Sequence, residues 1–145
     1  MTEISVIGRL PAVLTPALAN KAVREALKVA HRKYAGSLSL VFVDEKRMKA
    51  LNKEHRGCPE STDVLSFSPA DFPVKNAAKP GLGDIIISPA YVRRDAGKSG
   101  VAYPQQLVRV LVHGVLHLSG YDHATVKEET KMFALQEKAI KACGL

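Results

Sequence analysis

The stretch YPQQLVRVLVHGVLHLS (residues 103–119) is apolar on almost every side of the helix that its residue spacing predicts. A helix that is hydrophobic all round is buried in its domain, so we expect this one to lie at the centre of the fold. Its polar side chains recur every four residues and form a single line along the helix, consisting of Gln105, Arg109, His113 and His117. Burying such a line is unfavourable unless its members are paired, bind a metal or face a cleft.

The remaining sequence predicts a small β-sheet packed with helices. Strands are expected at residues 4–8, 38–44, 62–67 and 83–88, and further helices at 16–34, 45–56, 89 to about 97–100, and 125–143. The segment 38–44 becomes continuously apolar, so we expect it inside the sheet. Residues 68–82 contain three prolines and are expected to form an exposed loop. This order of elements predicts one α+β domain, residues 1–145, with a mixed sheet.

The composition is that of an ordinary globular chain with an excess of positive charge. Of 145 residues 46% are hydrophobic, and no stretch approaches the roughly 20 apolar residues needed to cross a bilayer. The N-terminal segment lacks the pattern of a secretory signal, and two cysteines cannot form a disulfide scaffold, so we expect a cytoplasmic protein. The net charge of +7 favours a polyanionic partner, either nucleic acid or an anionic membrane face.

The end of the central helix and the turn after it read HGVLHLSGYDH (113–123) and contain three histidines. Positions four apart share a helix face, so His113 and His117 can bind one ion, and Gly120 permits a turn that returns His123 to it. Three protein ligands leave a fourth position open, which is typical of a catalytic metal site. Three neutral imidazoles favour zinc, although other divalent transition metals also fit. The alternative is a pair of satisfied core histidines with a third on a loop.

The residue after the first histidine bears on the reaction. The spacing H-x-x-x-H-x-x-G-x-x-H occurs in metzincin-type zinc peptidases, which carry glutamate at the second position, whereas this chain has Gly114. Glycine cannot take a proton from water or pass it to a leaving amine, so the pattern disfavours peptide hydrolysis. Phosphodiester cleavage needs a cation that stabilises the developing negative charge, and therefore predicts an arginine near the histidines.

The segment 113–123 closely resembles the signature of the YbeY family, the rRNA-maturation endoribonucleases of bacteria. LNKEHRGCPESTDVLSF (51–67) and GDIIIS (83–88) resemble the two other characteristic segments of that family, in the same order. The C-terminal KMFALQEKAIKACGL resembles its closing helix, so the similarity extends over nearly the whole chain. Three departures are local: His55 replaces a frequent aromatic residue, Ser61 replaces a common proline, and Ser68 precedes a proline that usually follows the phenylalanine directly.

The resemblance implies a metal-dependent endoribonuclease that is specific for single strands, matures the 3′ end of small-subunit rRNA and acts in ribosome quality control. The family's three metal ligands fall on His113, His117 and His123, and its functionally important arginine falls on Arg56. One zinc ion or another divalent transition metal is the implied cofactor. Single-stranded rRNA and the ribosome are the implied partners, with neither DNA nor a membrane expected. The glycine after the first histidine is a family feature, so Gly114 is compatible with an active site.

Two other functions stay open at this point. One is a ribosome-associated RNA-binding factor whose metal is mainly structural, and the other is a zinc peptidase or amidohydrolase. The attacking group is open as well, since either water or the RNA 2′-OH can attack the phosphate, and no residue is assigned as the base.

Several further residues have two possible roles. Arg56 either binds phosphate or favours the C-terminus of its helix, and Asp122 either orients a histidine or completes a turn. Asp63 and Asp84 are expected to satisfy backbone donors at turns. A basic stripe on the first helix is either a solvated face or a rail for RNA phosphates, and it consists of Lys21, Arg24, Lys28 and Arg32, with His31 expected at the surface.

Overall fold

The computed structural model describes residues 2–32, 36–69 and 81–145. Its strands are β1 (Thr2–Ile7), β2 (Gly36–Phe42), β3 (Val64–Phe67) and β4 (Gly83–Ile87). Its helices are α1 (Pro16–Val29), α2 (Glu45–Arg56), α3 (Pro89–Ser99), α4 (Tyr103–Leu118) and α5 (Val126–Ala142). The order of elements confirms the predicted α+β class. The loop predicted at 68–82 lies mostly outside the described residues, because 70–80 are not among them.

The four strands form one mixed sheet in the order β1-β2-β4-β3. Strand β2 pairs in parallel with both β1 and β4, so the prediction that this segment lies inside the sheet is confirmed. Strand β3 pairs antiparallel with β4 and forms one edge of the sheet. Alternate residues of β4 face opposite sides: Ile85 and Ile87 belong to the main core, and Ile86 belongs to a smaller cluster.

The helices cover both faces of this sheet. Helix α4 is central, as predicted, and packs against α1, α3, α5 and the sheet strands β3 and β4. Helix α2 lies on the opposite face, where Met48 and Leu51 pack against Leu65, Phe67 and Ile86. Among the described residues, no helix is both long and apolar enough to span a bilayer.

Side-chain caps begin three of the helices where the sequence predicts them. The Thr15 hydroxyl accepts the Leu18 backbone N–H at 3.2 Å, and the Asp44 carboxylate accepts the Arg47 N–H at 2.7 Å. Thr125 accepts the Glu128 N–H at 3.1 Å, while its hydroxyl donates to the Glu128 carboxylate at 2.9 Å. Each cap satisfies a backbone donor that the first helical turn leaves without a partner.

Helix α1 ends at Val29, five residues before the predicted end at 34. His31 has a left-handed φ of 55° and an exposed side chain, the latter as predicted. The Arg32 N–H then bonds to the Leu27 carbonyl at 2.9 Å, and the His31 N–H bonds to Lys28 at 3.1 Å. This is the paired arrangement of a Schellman motif, which ends a helix without requiring glycine at the left-handed position.

Arg32, the last residue of the predicted basic stripe, has a hydrogen-bond partner within the protein. Its guanidinium donates to the Leu118 carbonyl at 3.0 Å, in the last turn of α4. A cation at that place satisfies an orphan carbonyl and is favoured by the dipole of the buried helix. Arg32 is exposed, and part of its guanidinium is engaged by this contact with α4.

Asp84 does not play the turn role expected of it. It lies within β4, opposite Ser39 of β2, and its carboxylate accepts a hydrogen bond from the Ser39 hydroxyl. Burial is the larger influence and raises the pKa of the Asp84 carboxyl above its ordinary value of 3.8, while the Ser39 bond lowers it. The folded chain therefore holds this proton to a higher pH than the unfolded chain does.

We predict that Asp84→Asn stabilises the protein at pH 7. Because the pKa of Asp84 is higher in the folded state than in the unfolded state, the free energy of unfolding decreases as the pH rises from the unfolded pKa to the folded pKa. The amide of the variant does not ionise, so the variant does not lose this stability. Because the side chain is half-exposed, the gain should be below about 1 kcal/mol. It should vanish as the pH falls below about 3, under the ordinary value of 3.8, where both states are protonated. Urea unfolding across this pH range measures the effect.

Glu60→Gln is the matched control, since it removes one carboxylate charge from an exposed position. It should change stability by less than about 0.5 kcal/mol at every pH. A lower stability of Asp84→Asn at pH 7 would contradict the assignment of burial as the dominant influence.

Candidate metal centre

The polar line along α4 is satisfied in two different ways. In its first half Arg109 forms an ion pair with Glu137 of α5 at 2.8 Å and also donates to Gln106 at 2.9 Å. In its second half His113 and His117 are only partly buried and line an open cleft. Arg109 is therefore paired within the protein, and the two histidines reach the cleft, so these partly buried groups are not left without polar contacts.

The three predicted histidines meet at the end of α4. The Nε2 atoms of His113 and His117 lie 3.0 Å apart, as expected for residues one turn apart on a helix. Gly120 has a φ of 100°, which lets the chain leave the helix sharply and bring His123 over the same spot. One ring nitrogen from each histidine lies within 4.8 Å of the other two, so the triad could hold a metal ion.

Gln136 of α5 fixes the orientation of one ring. This side chain is 7% exposed, and its Oε1 lies 2.9 Å from Nδ1 of His113. An amide oxygen only accepts, so Nδ1 must carry the hydrogen, which leaves Nε2 as the basic nitrogen facing the other histidines. Such a hydrogen bond on the far side of the ring is the usual support of a metal-binding histidine.

Two of the imidazoles are shifted towards the neutral form. Burial lowers the pKa of His113, although Gln136 and the negative charge of Asp63 oppose the shift. Burial, together with the neighbouring His113 and His123 rings, lowers the pKa of His117 to about 4. Neutral imidazole is the form that binds a metal, so both rings are ready to act as ligands at pH 7.

The cleft beside the histidines has a volume of about 800 Å³ and is walled by parts of both faces of the sheet. Its lining consists of β3, the end of α4 with the turn after it, and Arg56 at the end of α2. Arg56 is exposed, and among the described residues its guanidinium has no hydrogen bond or ion pair with the protein. The structure thus brings the three histidines of the motif and Arg56 to one cleft.

Asp63 differs from its expected role, and Asp122 takes one of the two roles left open for it. Asp63 lines the cleft, and its carboxylate accepts a hydrogen bond from the Thr62 hydroxyl at 3.3 Å, where a turn with backbone donors was expected. The backbone carbonyl of Asp63, in contrast, accepts the Ser88 N–H at 3.0 Å. Asp122 accepts the backbone N–H of His123 at 2.8 Å, so it shapes the turn that carries His123 and does not bond to a ring.

Comparison with known proteins agrees with this geometry. The profile of the family described as Endoribonuclease YbeY matches residues 12–144. The chain belongs to the YbeY family. It is 39% identical to Endoribonuclease YbeY of Geobacillus thermodenitrificans over 85% of this chain and 83% of that protein. It is 43% identical to Endoribonuclease YbeY of Sinorhizobium medicae over 77% of this chain and 66% of that protein.

The fold has a counterpart of known structure. The solution structure of TM1509 from Thermotoga maritima is similar with a TM-score of 0.66 and 28% sequence identity. The match covers 99% of this chain and 89% of the Thermotoga protein. The resemblance to the YbeY family inferred from the motifs is thus confirmed.

Gly114 has a packing reason in this YbeY-family chain. A Cβ built on Gly114 would lie 3.1 Å from two methyl carbons of Ile85 and 3.2 Å from the Ser66 hydroxyl. This position faces the sheet, and the Ser66 hydroxyl donates to its carbonyl at 3.5 Å. A side chain at this position would start against the β3–β4 surface, in contacts tighter than ordinary van der Waals contact. Close approach of α4 to the sheet therefore favours glycine here over the glutamate of the peptidases.

The sequence did not identify Gln136 as a site residue, and it predicted that Asp63 would bond to backbone donors in a turn and not line the cleft. Gln136 carries a usable signal, since it stands on the buried face of α5 in line with Met132 and Ile140. Nothing local distinguishes Asp63 from a turn aspartate, because its position in the cleft depends on how β3 pairs with β4.

His55 substitutes for an aromatic residue by packing edge-on against Phe67, with ring centroids 5.0 Å apart.

We predict that Gly114→Val lowers the free energy of unfolding by about 1–3 kcal/mol, because the added methyl groups overpack the helix–sheet contact. Thermal or urea unfolding measures it. Gly97→Val is the matched control, since Gly97 lies in α3 with open space around it. It should change stability by less than about 0.5 kcal/mol. Equal stability of the two variants would show that α4 can move off the sheet at little cost.

Proposed function

We propose that this chain is a metal-dependent endoribonuclease that cleaves single-stranded rRNA, with small-subunit rRNA near its 3′ end as the substrate and the ribosome as its partner. The observation that carries the proposal is a cleft lined by three histidines that could hold a metal and by Arg56, whose guanidinium bonds to none of the described residues. Membership of a family described as endoribonucleases supports RNA as the substrate. A ribosomal substrate implies action in the cytoplasm, and a part in ribosome quality control stays a prediction.

The proposed metal ligands are His113, His117 and His123, and the proposed metal is one zinc ion or another divalent transition metal. Two nitrogens bound to one tetrahedral zinc ion are separated by roughly 3.3 Å, close to the 3.0 Å between the Nε2 atoms of His113 and His117. A donor set of three neutral imidazoles suits zinc and leaves a position for substrate or water. When bound, the ion supplies activation of water or polarisation of a phosphoryl oxygen.

Arg56 is proposed to bind the scissile phosphate and to stabilise its extra negative charge. The Lys53 and Asn52 carbonyls at the end of α2 already accept the backbone N–H groups of Gly57 and Cys58, so these hydrogen bonds do not require Arg56. A planar guanidinium without a protein partner is suited to bidentate contact with phosphate. Asn52 holds the following loop through its side-chain bond to the Glu60 carbonyl at 2.7 Å, which steadies the position of Arg56.

The test is cleavage of an end-labelled single-stranded RNA from the 3′ region of small-subunit rRNA. Wild type and His117→Ala, purified identically, are compared with chelator and with zinc restored. Cleavage should disappear with chelator and in the variant, and it should return when zinc is added to the wild type. The end groups of the products identify the attacking group, since a 2′,3′-cyclic phosphate indicates attack by the RNA 2′-OH.

Two results would contradict this proposal. Equal cleavage by wild type and His117→Ala would point to a contaminating nuclease. Absence of cleavage by the wild type, together with RNA binding that survives metal removal, would favour an RNA-binding factor with a mainly structural metal.

A second prediction separates Arg56 from the metal ligands. Arg56→Glu should reduce cleavage by at least about 10²-fold, the usual effect of removing a group that stabilises transition-state charge, while zinc content is unchanged. Arg47→Glu is the matched control, because it makes the same charge change at another exposed position of α2. Loss of zinc from Arg56→Glu would instead mean that the residue is structural.

A third prediction concerns Gln136. Gln136→Leu should weaken zinc binding by about 10–100-fold, since the leucine cannot hold the His113 ring with Nε2 towards the site. Competition with a chromophoric chelator measures the affinity. Gln136→Glu keeps an acceptor and should bind zinc within a few-fold of wild type, whereas Gln105→Leu makes the same change outside the cleft and should have no effect. Unchanged affinity of Gln136→Leu would remove the proposed support.

A further inference from the structure

Helix α2 carries a row of cations that leads to the cleft. Lys46, Lys49, Lys53 and Arg56 are spaced by three, four and three residues, so they share one side of the helix, and all four are exposed. We call these four residues the α2 basic row. It is about 15 Å long at 1.5 Å per residue, and its last member lines the cleft.

The α2 basic row is unfavourable for the helix itself. Each member has another cation three or four residues away, and like charges at that spacing destabilise a helix. Lys46 also lies in the first turn of α2, where the helix dipole disfavours positive charge. Over the described parts of the chain, no ion pair joins a carboxylate to any member of the row: Glu45 is paired with Arg94, and Glu54 lies near His55.

The basic stripe of α1 differs in its neighbours and in its position relative to the cleft. Glu25 stands among its cations, four residues after Lys21 and three before Lys28, and Arg32 is bound to the Leu118 carbonyl. Helix α1 packs on the α4 side of the sheet, opposite to α2. Lys21, Arg24 and Lys28 do not line the cleft. Of the two surfaces, the α2 basic row alone joins unpaired positive charge to the site.

We propose that the α2 basic row binds the phosphate backbone of single-stranded RNA and leads the strand into the cleft at Arg56. The inference rests on the proposed function for the identity of the polyanion. The row is longer than the spacing of adjacent phosphates, so it can contact several of them at once. Lysine ammonium groups on an exposed helix bind phosphates as point charges and do not select bases, so the row contributes affinity and not sequence preference.

The experiment measures the affinity of a fluorescent single-stranded RNA as a function of salt, with chelator present so that no cleavage occurs. The test variant is the triple Lys46→Gln, Lys49→Gln, Lys53→Gln, which leaves Arg56 in place. The matched control is the triple Lys21→Gln, Arg24→Gln, Lys28→Gln, which removes the same charge from α1. Thermal unfolding checks both variants, and the α2 variant should be at least as stable as wild type because like charges have been removed.

For single strands, the slope of log K against log salt is about −0.7 per phosphate contact. Loss of three contacts should therefore make the slope of the α2 variant shallower by about 2 and weaken binding at least tenfold at 0.1 M salt. The α1 control should keep a slope within about 0.5 of wild type. Equal slopes and affinities for wild type and the α2 variant would overturn the inference, as would an equal loss in both triples.

The outcome does not depend on the nuclease proposal. If the wild type binds RNA and never cleaves it, the proposed function fails, while the comparison of the two triples still decides whether the α2 basic row is the binding track. If cleavage is present, the α2 variant should need at least tenfold more protein for half-maximal cleavage but reach the wild-type rate at saturation. A reduced saturating rate with normal binding would contradict a role in binding.

Discussion

The burial of α4 is the constraint on which the rest of the structure depends. Three helices and the sheet enclose this helix, yet it carries a line of polar side chains along one face. Glu137 and Gln106 satisfy Arg109 in the enclosed half, and Gln136 satisfies one side of the His113 ring. The His117 ring bonds to the backbone of Tyr121, and the Nε2 atoms of His113 and His117 lie together at the cleft. A ligand site at this end of the helix thus supplies the polar contacts that its partly buried histidines require.

Close packing of α4 against the sheet also determines what the cleft can contain. Because Gly114 has no side chain, the helix backbone lies close to Ile85 and Ser66, and an added Cβ would make tight contacts of 3.1–3.2 Å with them. Because β3 is the edge strand, the end of α4 on one face and the end of α2 on the other both reach its rim. The three histidines and Arg56 therefore come from opposite faces of the sheet, and the proposed RNA strand can lie between them.

The distribution of cations follows the same division of the fold. On the α4 side, Arg32 and Arg109 are held by a carbonyl and a carboxylate, where they stabilise contacts between helices. On the α2 side, the cations that lead to the cleft lack such partners within the described ranges, and their mutual repulsion is unfavourable for folding. Charge that is unpaired and still close together indicates a polyanionic ligand more clearly than the net charge of the whole chain does.

The sequence by itself determined the order of elements, the central position of α4, the helix caps and the histidine triad. These depend on local spacing: a period near four places His113 and His117 on one side of a helix, and a hydroxyl or carboxylate before a helix caps it. The resemblance carried by the motifs added Arg56. Only the tertiary structure decided which partners these residues have. Gln136 reaches His113 across 23 positions of the chain. Arg32 reaches Leu118 across 86. Asp63 faces the cleft because β3 pairs with β4 in one register. Such contacts depend on how helices pack on the sheet, and no local pattern of residues encodes that packing.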